Sequence, residues 1–276
     1  MSFSLVGLYT LMQLKKPYNF IKKLPKKLNQ LYFRNLKSKV VIKNKSNNLK
    51  TFNPVTNFDK KFEKYIRSLI TKYFKNDGII GEEFKNKISL NKFTWSIDPI
   101  DGTKSFVIGV PTWSNLVGLM YNSKAILGLA NFPEMNRYYL SDIKRSFLIK
   151  GEKKILLKSS KNYKNNNLKI IGNFHGVTDK KKKDALVNKL GSFFRLISYD
   201  AFSYCLIAEG KLDAVIETNL KPYDIIPLIP ILKNSGAFVS TWSNNGAEKG
   251  GNILASSNFK LHKKMLRILN SYKDIT

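Results

Sequence analysis

The stretch Trp95-Ser96-Ile97-Asp98-Pro99-Ile100-Asp101-Gly102-Thr103-Lys104-Ser105-Phe106 sets the strongest local constraint on this chain. A β-prone run from Phe93 to Ile97 meets Pro99, which fixes its own φ and keeps Asp98 out of the helical region. The strand is therefore expected to end at Asp98, where the chain turns. Two carboxylates three residues apart then face one cavity. Gly102 allows close backbone approach, and Thr103 opens a short helix whose free amides can receive a phosphate. Oxygen donors without His or Cys suit Mg²⁺ or Mn²⁺ rather than zinc. On its own the same stretch also reads as a polar turn with an aspartate cap, so its partners elsewhere decide.

A chain of 276 residues can bury a substantial core, as one large domain or two intimate halves. Lys and Arg total 48 against 19 Asp and Glu, a formal charge of +29. Such a balance ordinarily points to nucleic acid or another anionic partner. Here the lysines are spread along the whole chain, with no RGG tract, zinc-finger spacing or aromatic RNA-binding signature beside them. The expected partner is a small anionic substrate, and a non-catalytic basic protein that binds nucleic acid is the rival from another class. Cys205 is the single cysteine, so no intrachain disulfide forms and a reducing, cytoplasmic setting fits. Its apolar helical surroundings place it in a core. His175 and His262 are too far apart for an ordinary zinc site and read as surface or packing residues.

Residues 1–58 carry 11 Lys and one Arg and no acidic residue. Met1 to Leu14 is mostly apolar and precedes the lysines, the reverse of a secretory signal, and is too short to span a bilayer. A mobile extension or an amphipathic helix packed on the domain is expected; an organelle-targeting segment would need Arg and Ser enrichment. Lys22 to Lys27, with Pro25, reads as a boundary, and Leu28 to Phe33 as the start of a packed helix. The chain divides accordingly into a basic extension (1–27), an N-terminal half with an antiparallel sheet and the metal motif (28–150), and a C-terminal α/β half (151–276).

Asn53-Pro54-Val55-Thr56-Asn57-Phe58-Asp59 leads into the clearest helix, with Phe58, Phe62, Tyr65, Ile66, Leu69, Ile70 and Tyr73 on one face and Asp77-Gly78 as its end. Asp59 in its first turn reads as a cap or as an outer metal ligand. Ile79-Ile80 delivers Gly81-Glu82-Glu83 at a strand end. Strands follow at Ser114–Tyr121, Ala125–Phe132, Arg137–Leu140, Ser146–Lys150 and Lys154–Leu157. From Leu168 strands and helices alternate: strand to Gly172, helix Asp179–Leu190, strand Phe193–Ile197, helix Asp200–Glu209 and strand Leu212–Glu217. Asp224 is expected as the N-cap of a helix that Pro230 kinks and Ser235-Gly236 closes. Strands Ala237–Trp242 and Asn252–Ala255 and a helix Asn258–Leu269 complete the chain.

Gly81-Glu82-Glu83, Asp98-Pro99-Ile100-Asp101-Gly102-Thr103, and Asp224 before a helix ending in Ser235-Gly236-Ala237, with Pro54-Val55-Thr56-x-x-Asp59 upstream, resemble in order and spacing the inositol monophosphatase-like metal-dependent phosphatases. Four elements in register are far more specific than one. The resemblance covers residues 28–270, with no counterpart placed for the segment before Leu28. It implies the layered α/β/α/β/α sandwich shared with fructose-bisphosphatases, an α/β (α+β) fold with its site between two halves. Asp101-Gly102-Thr103-Lys104-Ser105-Phe106, Gly109-Val110-Pro111-Thr112-Trp113 and Leu220-Lys221-Pro222-Tyr223-Asp224 are most similar to the histidinol-phosphatase branch. Ser235-Gly236-Ala237 in place of Ala-Gly-Gly, and Pro227, depart from the family pattern.

What the resemblance implies is hydrolysis of a small phosphate monoester with two or three Mg²⁺, or Mn²⁺, per site. Glu82, Asp98, the Ile100 carbonyl, Asp101 and Asp224 would hold the metals, with Asp59 completing a weaker site. Thr103 and Glu82 would orient and deprotonate the attacking water, while the Gly102 and Thr103 amides receive the phosphate. Glu217 occupies the position that contacts the leaving alcohol, and Asp200 stands where inositol phosphatases carry a small residue. Two carboxylates there favour a cationic amino alcohol over a neutral polyol; Asp200 also reads as a plain helix N-cap. Histidinol phosphate is thus the expected substrate, with inositol 1-phosphate or another sugar or nucleotide phosphate as the alternative. Homodimers are common in the family, although this sequence carries no interface signature.

Overall fold

A computed structural model describes residues 5–36, 39–45, 54–163, 167–191 and 194–276, with side chains from Leu14 onward. Asn53, Phe193 and Met1–Ser4, which figure in the expectations above, lie outside the described residues. The first element, α1 (Leu5–Arg34), is one continuous helix with Pro17 and Pro25 inside it. The boundary expected at Lys22–Lys27 is therefore not a break in structure. Each interior proline costs about 3 kcal/mol, whereas each buried Leu or Ile contributes about 2 kcal/mol. Leu14, Ile21, Leu24, Leu28 and Tyr32 are all buried on one face of α1, enough to outweigh both prolines.

A short hairpin, β1 (Ile42–Asn44) with β2 (Pro54–Thr56), precedes α2 (Asn57–Tyr73). The latter ends at Tyr73, short of the expected Asp77-Gly78. Asp77 instead accepts the Trp95 indole N–H at 2.8 Å and an Asn91 amide at 2.8 Å, fixing the next strand. That sheet comprises β3 (Gly78–Gly81), β4 (Phe93–Asp101), β5 (Ser114–Tyr121), β6 (Lys124–Phe132), β7 (Arg137–Ser141), β8 (Ser146–Lys150) and β9 (Lys153–Leu156), in sequential order. Only β3 and β4 pair in parallel. Between β4 and β5 lies α3 (Thr103–Ile108).

The second sheet has the order β11 (Phe194–Leu196), β10 (Ile170–Phe174), β12 (Ala214–Leu220), β14 (Gly251–Ser256), β13 (Phe238–Thr241). Around it run α4 (Lys180–Leu190), α5 (Ala201–Ala208), α6 (Pro222–Ile225), α7 (Leu228–Ser235) and α8 (Phe259–Leu269). The helix expected after Asp224 is two pieces: Pro227 caps α7 and marks the break, while Pro230 sits harmlessly in the first turn of α7. Gly236 ends it in the left-handed region, φ 95°.

Three apolar clusters define five layers. The helices α1 and α2 cover one face of the large sheet through Ile21, Leu28, Phe62, Ile66 and Trp95. Between the sheets, α5 and α7 bury Cys205, Ile207, Leu228 and Ile231. The far face of the small sheet is covered by α4 and α8 through Leu186, Leu261 and Met265. This is the expected α/β/α/β/α sandwich. Close approach in the middle layer depends on Gly118 and Gly128, paired across β5 and β6. A Cβ at 128 would stand 1.9 Å from the Pro227 carbonyl oxygen.

Candidate active site between the two sheets

The first decisive feature is an irregularity in β4. Asp98 pairs with Leu116 and Asp101 with Ser114, so Pro99 and Ile100 together oppose the single residue Asn115. Side chains alternate along a strand, and residues three apart normally face opposite ways. The extra residue of this bulge brings both carboxylates to one side. The strand thus continues to Asp101, where the sequence places its end at Asp98, because Asn115 Nδ2 donates to the Pro99 carbonyl at 2.7 Å and holds the bulge inside the sheet. Just beyond, Tyr32, Phe58, Phe106 and Trp113 pack ring to ring at centroid distances of 4.9–6.4 Å and hold α3 against α1 and α2.

A cavity of about 410 Å³ opens at this point, lined by Glu82, Asp98, Ile100, Asp101, Gly102, Thr103, Asp200, Glu217 and Asp224. Nine of the ten expected site residues therefore meet. The tenth, Asp59, lies behind the wall: its carboxylate accepts Thr56 N–H at 2.7 Å and the Thr56 hydroxyl at 2.6 Å. Thr56 Oγ1 in turn accepts from Phe58 and Asp59 amides, a capping box at the start of α2. The capping role is realised, yet Asp59 also groups with Glu82 and Glu83, with carboxylate oxygens mutually within 4.8 Å. Thr103 Oγ1 stands 3.3 Å from Asp59 Oδ1 and 3.1 Å from the Ile100 carbonyl, so its hydroxyl proton is committed to an acceptor.

Asp224 is not an N-cap. It is the third residue of α6, where its Oδ2 accepts the Lys221 amide at 2.7 Å while the side chain lines the cavity. Asp200 occupies the backbone N-cap position of α5 but makes no side-chain cap bond. Its Oδ2 accepts from the Ser105 hydroxyl at 3.1 Å. The α5 amide at Ala201 is capped instead by Asp101 Oδ2 at 2.7 Å, so a carboxylate from one sheet holds a helix of the other half. Gly102, φ 79°, permits this closure: a Cβ there would meet Asp200 Oδ2 at 2.4 Å. Glu217 is buried, accepting from Ser198 at 2.7 Å and Tyr204 at 2.8 Å.

The electrostatics are those of crowded anions. Burial pushes the Asp98 carboxyl well above the usual range, and Glu82, Asp101, Asp224 and Asp59 push it further. Burial and then Asp200 do the same to Asp101. Burial lifts Asp224 to about 7 and Glu217 to about 7. Glu82 is raised by burial despite Lys45, whose Nζ bonds it at 2.9 Å and also bonds Glu83. Such a set of oxygen donors, each destabilised by its neighbours, fits a hard divalent cation.

Several contributors are silent in the sequence. Glu63, fully buried, accepts the Glu83 amide at 2.7 Å and the Phe84 amide at 3.3 Å and pairs with Arg67 at 2.7 Å, so it holds the Glu82 turn. Its signal was one acidic residue on the apolar face of α2, between Phe62 and Ile66. Ser198 and Tyr204 carry no motif. His175, expected at the surface or in packing, lines the cavity wall near Lys104 and Asp200; burial and Lys104 lower its pKa. His262 is the packing residue, between Ser240 and Ser256 hydroxyls at 2.9 and 3.1 Å.

The model of the inositol monophosphatase family matches residues 13–274. The chain belongs to that family. It is accordingly a phosphatase of small phosphorylated substrates, and the family match takes in residues 13–27, which the sequence left without a counterpart. The chloroplastic bifunctional phosphatase IMPL2 of Arabidopsis thaliana is 29% identical over 227 residues, covering 78% of this chain and 65% of its own. The histidinol-phosphatase of Mycobacterium tuberculosis is 27% identical over 222 residues, covering 79% and 85%. A solved IMPase/NADP phosphatase complexed with Mg²⁺ and phosphate has a TM-score of 0.76 at 22% identity, covering 95% of this chain and 96% of that one.

Proposed function

We propose that the chain hydrolyses L-histidinol phosphate to L-histidinol and phosphate with Mg²⁺. The observation that carries this is the meeting of Glu82, Asp98, Asp101 and Asp224 with Asp200 and Glu217 in one cavity. Glu82, Asp98, the Ile100 carbonyl, Asp101 and Asp224 would hold Mg²⁺, with Asp59 and Glu83 beside them. When bound, the metal supplies charge neutralisation for the phosphate, a more acidic water and a stabilised leaving alkoxide.

The chain's own residues do the rest. Thr103 Oγ1, its proton given to Ile100 or Asp59, keeps lone pairs free to accept a hydrogen bond from the attacking water. Glu82 takes the proton from that water. The Gly102 and Thr103 amides receive phosphate oxygens. The leaving alcohol would meet Asp200, whose Oδ2 accepts from the Ser105 hydroxyl, whereas both oxygens of Glu217 already accept hydrogen bonds. Asp200 is thus the stronger reader of a protonated amine. The alternative is inositol 1-phosphate or another sugar or nucleotide phosphate; Lys104 and Lys221 on the cavity wall suit the further anionic group that a nucleotide phosphate or sugar bisphosphate carries.

Phosphate release from histidinol phosphate and from inositol 1-phosphate, in parallel, tests this. A clear preference for histidinol phosphate that narrows in Asp200→Ala is expected, together with rescue of a histidine-requiring strain lacking this phosphatase. Equal rates on the two esters would remove the substrate assignment and leave the family reaction.

A further inference from the structure

The lysine-rich stretch of α1 from Lys15 to Lys27 lines no part of the phosphatase cavity, and the structure gives it a distinct form. Lys15, Lys16, Lys22, Lys23, Lys26 and Lys27 are all exposed along α1, while Leu14, Pro17, Ile21, Leu24, Pro25 and Leu28 are buried against the domain. From Lys15 to Lys27 the row of charge runs about 18 Å at the helical rise. It borders a cavity of about 530 Å³ between α1 and the end of α2, with Phe20, Tyr73 and Phe74 as its apolar wall and no Asp or Glu in its lining. Tyr73 is 46% exposed there. Among the described residues none of the six lysines has an ion-pair partner.

Two further facts decide the kind of partner. Toward its start α1 runs through Leu5–Leu14, a stretch with no charged residue. The family match begins at residue 13, so most of this stretch lies ahead of it. We propose that the lysine face of α1, with the uncharged turns that precede it, docks this protein on an anionic membrane surface. Stable attachment of a peripheral protein takes two signals, an apolar contribution and a polybasic patch, and both lie on this one helix. Four to eight lysines on an amphipathic helix suit anionic headgroups, and a half-exposed tyrosine suits the interface. A nucleic acid would use the lysines but has no use for the uncharged turns. Among the described residues no helix is long and apolar enough to cross a membrane, and the proposal accordingly places α1 along the surface.

The test is co-sedimentation of the full chain with vesicles of phosphatidylcholine alone or with about one third phosphatidylglycerol, a load that exploits the per-lysine attraction of such surfaces. Expected is sedimentation with the anionic vesicles, loss of it in high salt, and a drop of roughly 100-fold in partition for the triple variant Lys15→Glu, Lys23→Glu, Lys27→Glu. The variant should keep the wild-type melting temperature and phosphatase turnover, since these side chains are exposed and outside the site. Lys→Gln at the same positions should fall between. Equal sedimentation of wild type and the charge-reversed variant, no binding to anionic vesicles, or tighter binding to single-stranded RNA than to vesicles at the same salt would overturn the proposal.

Discussion

Two cavities on this chain carry opposite charge and opposite physics. In the one between the sheets, the carboxylates of Asp98, Asp101 and Asp224 are withdrawn from water and raise one another's pKa. In the cleft beside α1 the lysines stand in solvent. Like charges about 4 Å apart cost on the order of 4 kcal/mol at the effective dielectric of a protein interior. Exposed charges are screened within about 10 Å. Number of charges therefore does not decide which cavity stores free energy; burial does. The acidic cavity is destabilised until a cation arrives, whereas the basic cleft costs little with or without a partner.

The largest effect expected of this difference is at Asp98. Asp98→Asn should lower Mg²⁺-dependent phosphate release on the order of 10³-fold. It should also raise the melting temperature in EDTA by about 2–4 °C, because one mutually repelling charge is gone. Near-normal turnover would remove Asp98 from the site. A smaller loss should follow from Glu63→Ala, which releases the turn carrying Glu82: the Mg²⁺ concentration for half-maximal activity should rise about 10–100-fold, with activity at saturating Mg²⁺ largely kept and Glu63→Gln milder. A fall in saturated turnover with unchanged Mg²⁺ dependence would place Glu63 in a purely structural role.

His262 is a third case, a buried group that escapes charge. Burial lowers its pKa to about 4 from an ordinary 6.5. The unfolded chain then binds the extra proton between these values, so stability is full above pH 6.5 and is lost as pH falls toward 4. Denaturant unfolding at pH 7 and pH 5 should differ by about 2 kcal/mol from this group, a difference absent in His262→Gln. An unchanged slope in that variant would show that the ring is solvated. The smallest effect belongs to the cleft: Lys23→Gln with Lys27→Gln should change unfolding free energy by less than about 0.5 kcal/mol. A larger change would mean that the lysine row is held under strain after all.

Much of this was legible in residues. The apolar period of α2, the turn-bounded strands from Ser114 to Lys150 and the strand–helix alternation after Leu168 each place an element within a few residues of where it stands, because one buried face dictates each pattern. The convergence of the candidate carboxylates on one cavity was legible as well, since four short motifs had to meet. What the chain did not announce depends on tertiary partners. Pro99 reads as a strand end until Asn115 supplies the bond that keeps it in the sheet. Pro25 reads as a boundary until the burial of Leu24 and Leu28 outweighs it. Asp200 reads as a cap until Asp101 takes that duty from the opposite half, and Glu63, which no motif marks, acquires its role only when the Glu83 and Phe84 amides meet it.

The bulge in β4 has one more consequence. The extra residue interrupts the regular strand ladder at Pro99 and Ile100, and the Ile100 carbonyl, in a residue that lines the cavity, accepts from the Thr103 hydroxyl. Every carboxylate of the site can be erased by changing one codon, but no replacement of the Ile100 side chain removes a main-chain oxygen. This donor is written in the number of residues between Asp98 and Asp101 rather than in their identity, so a single deletion there would reach it where substitution scanning passes over it.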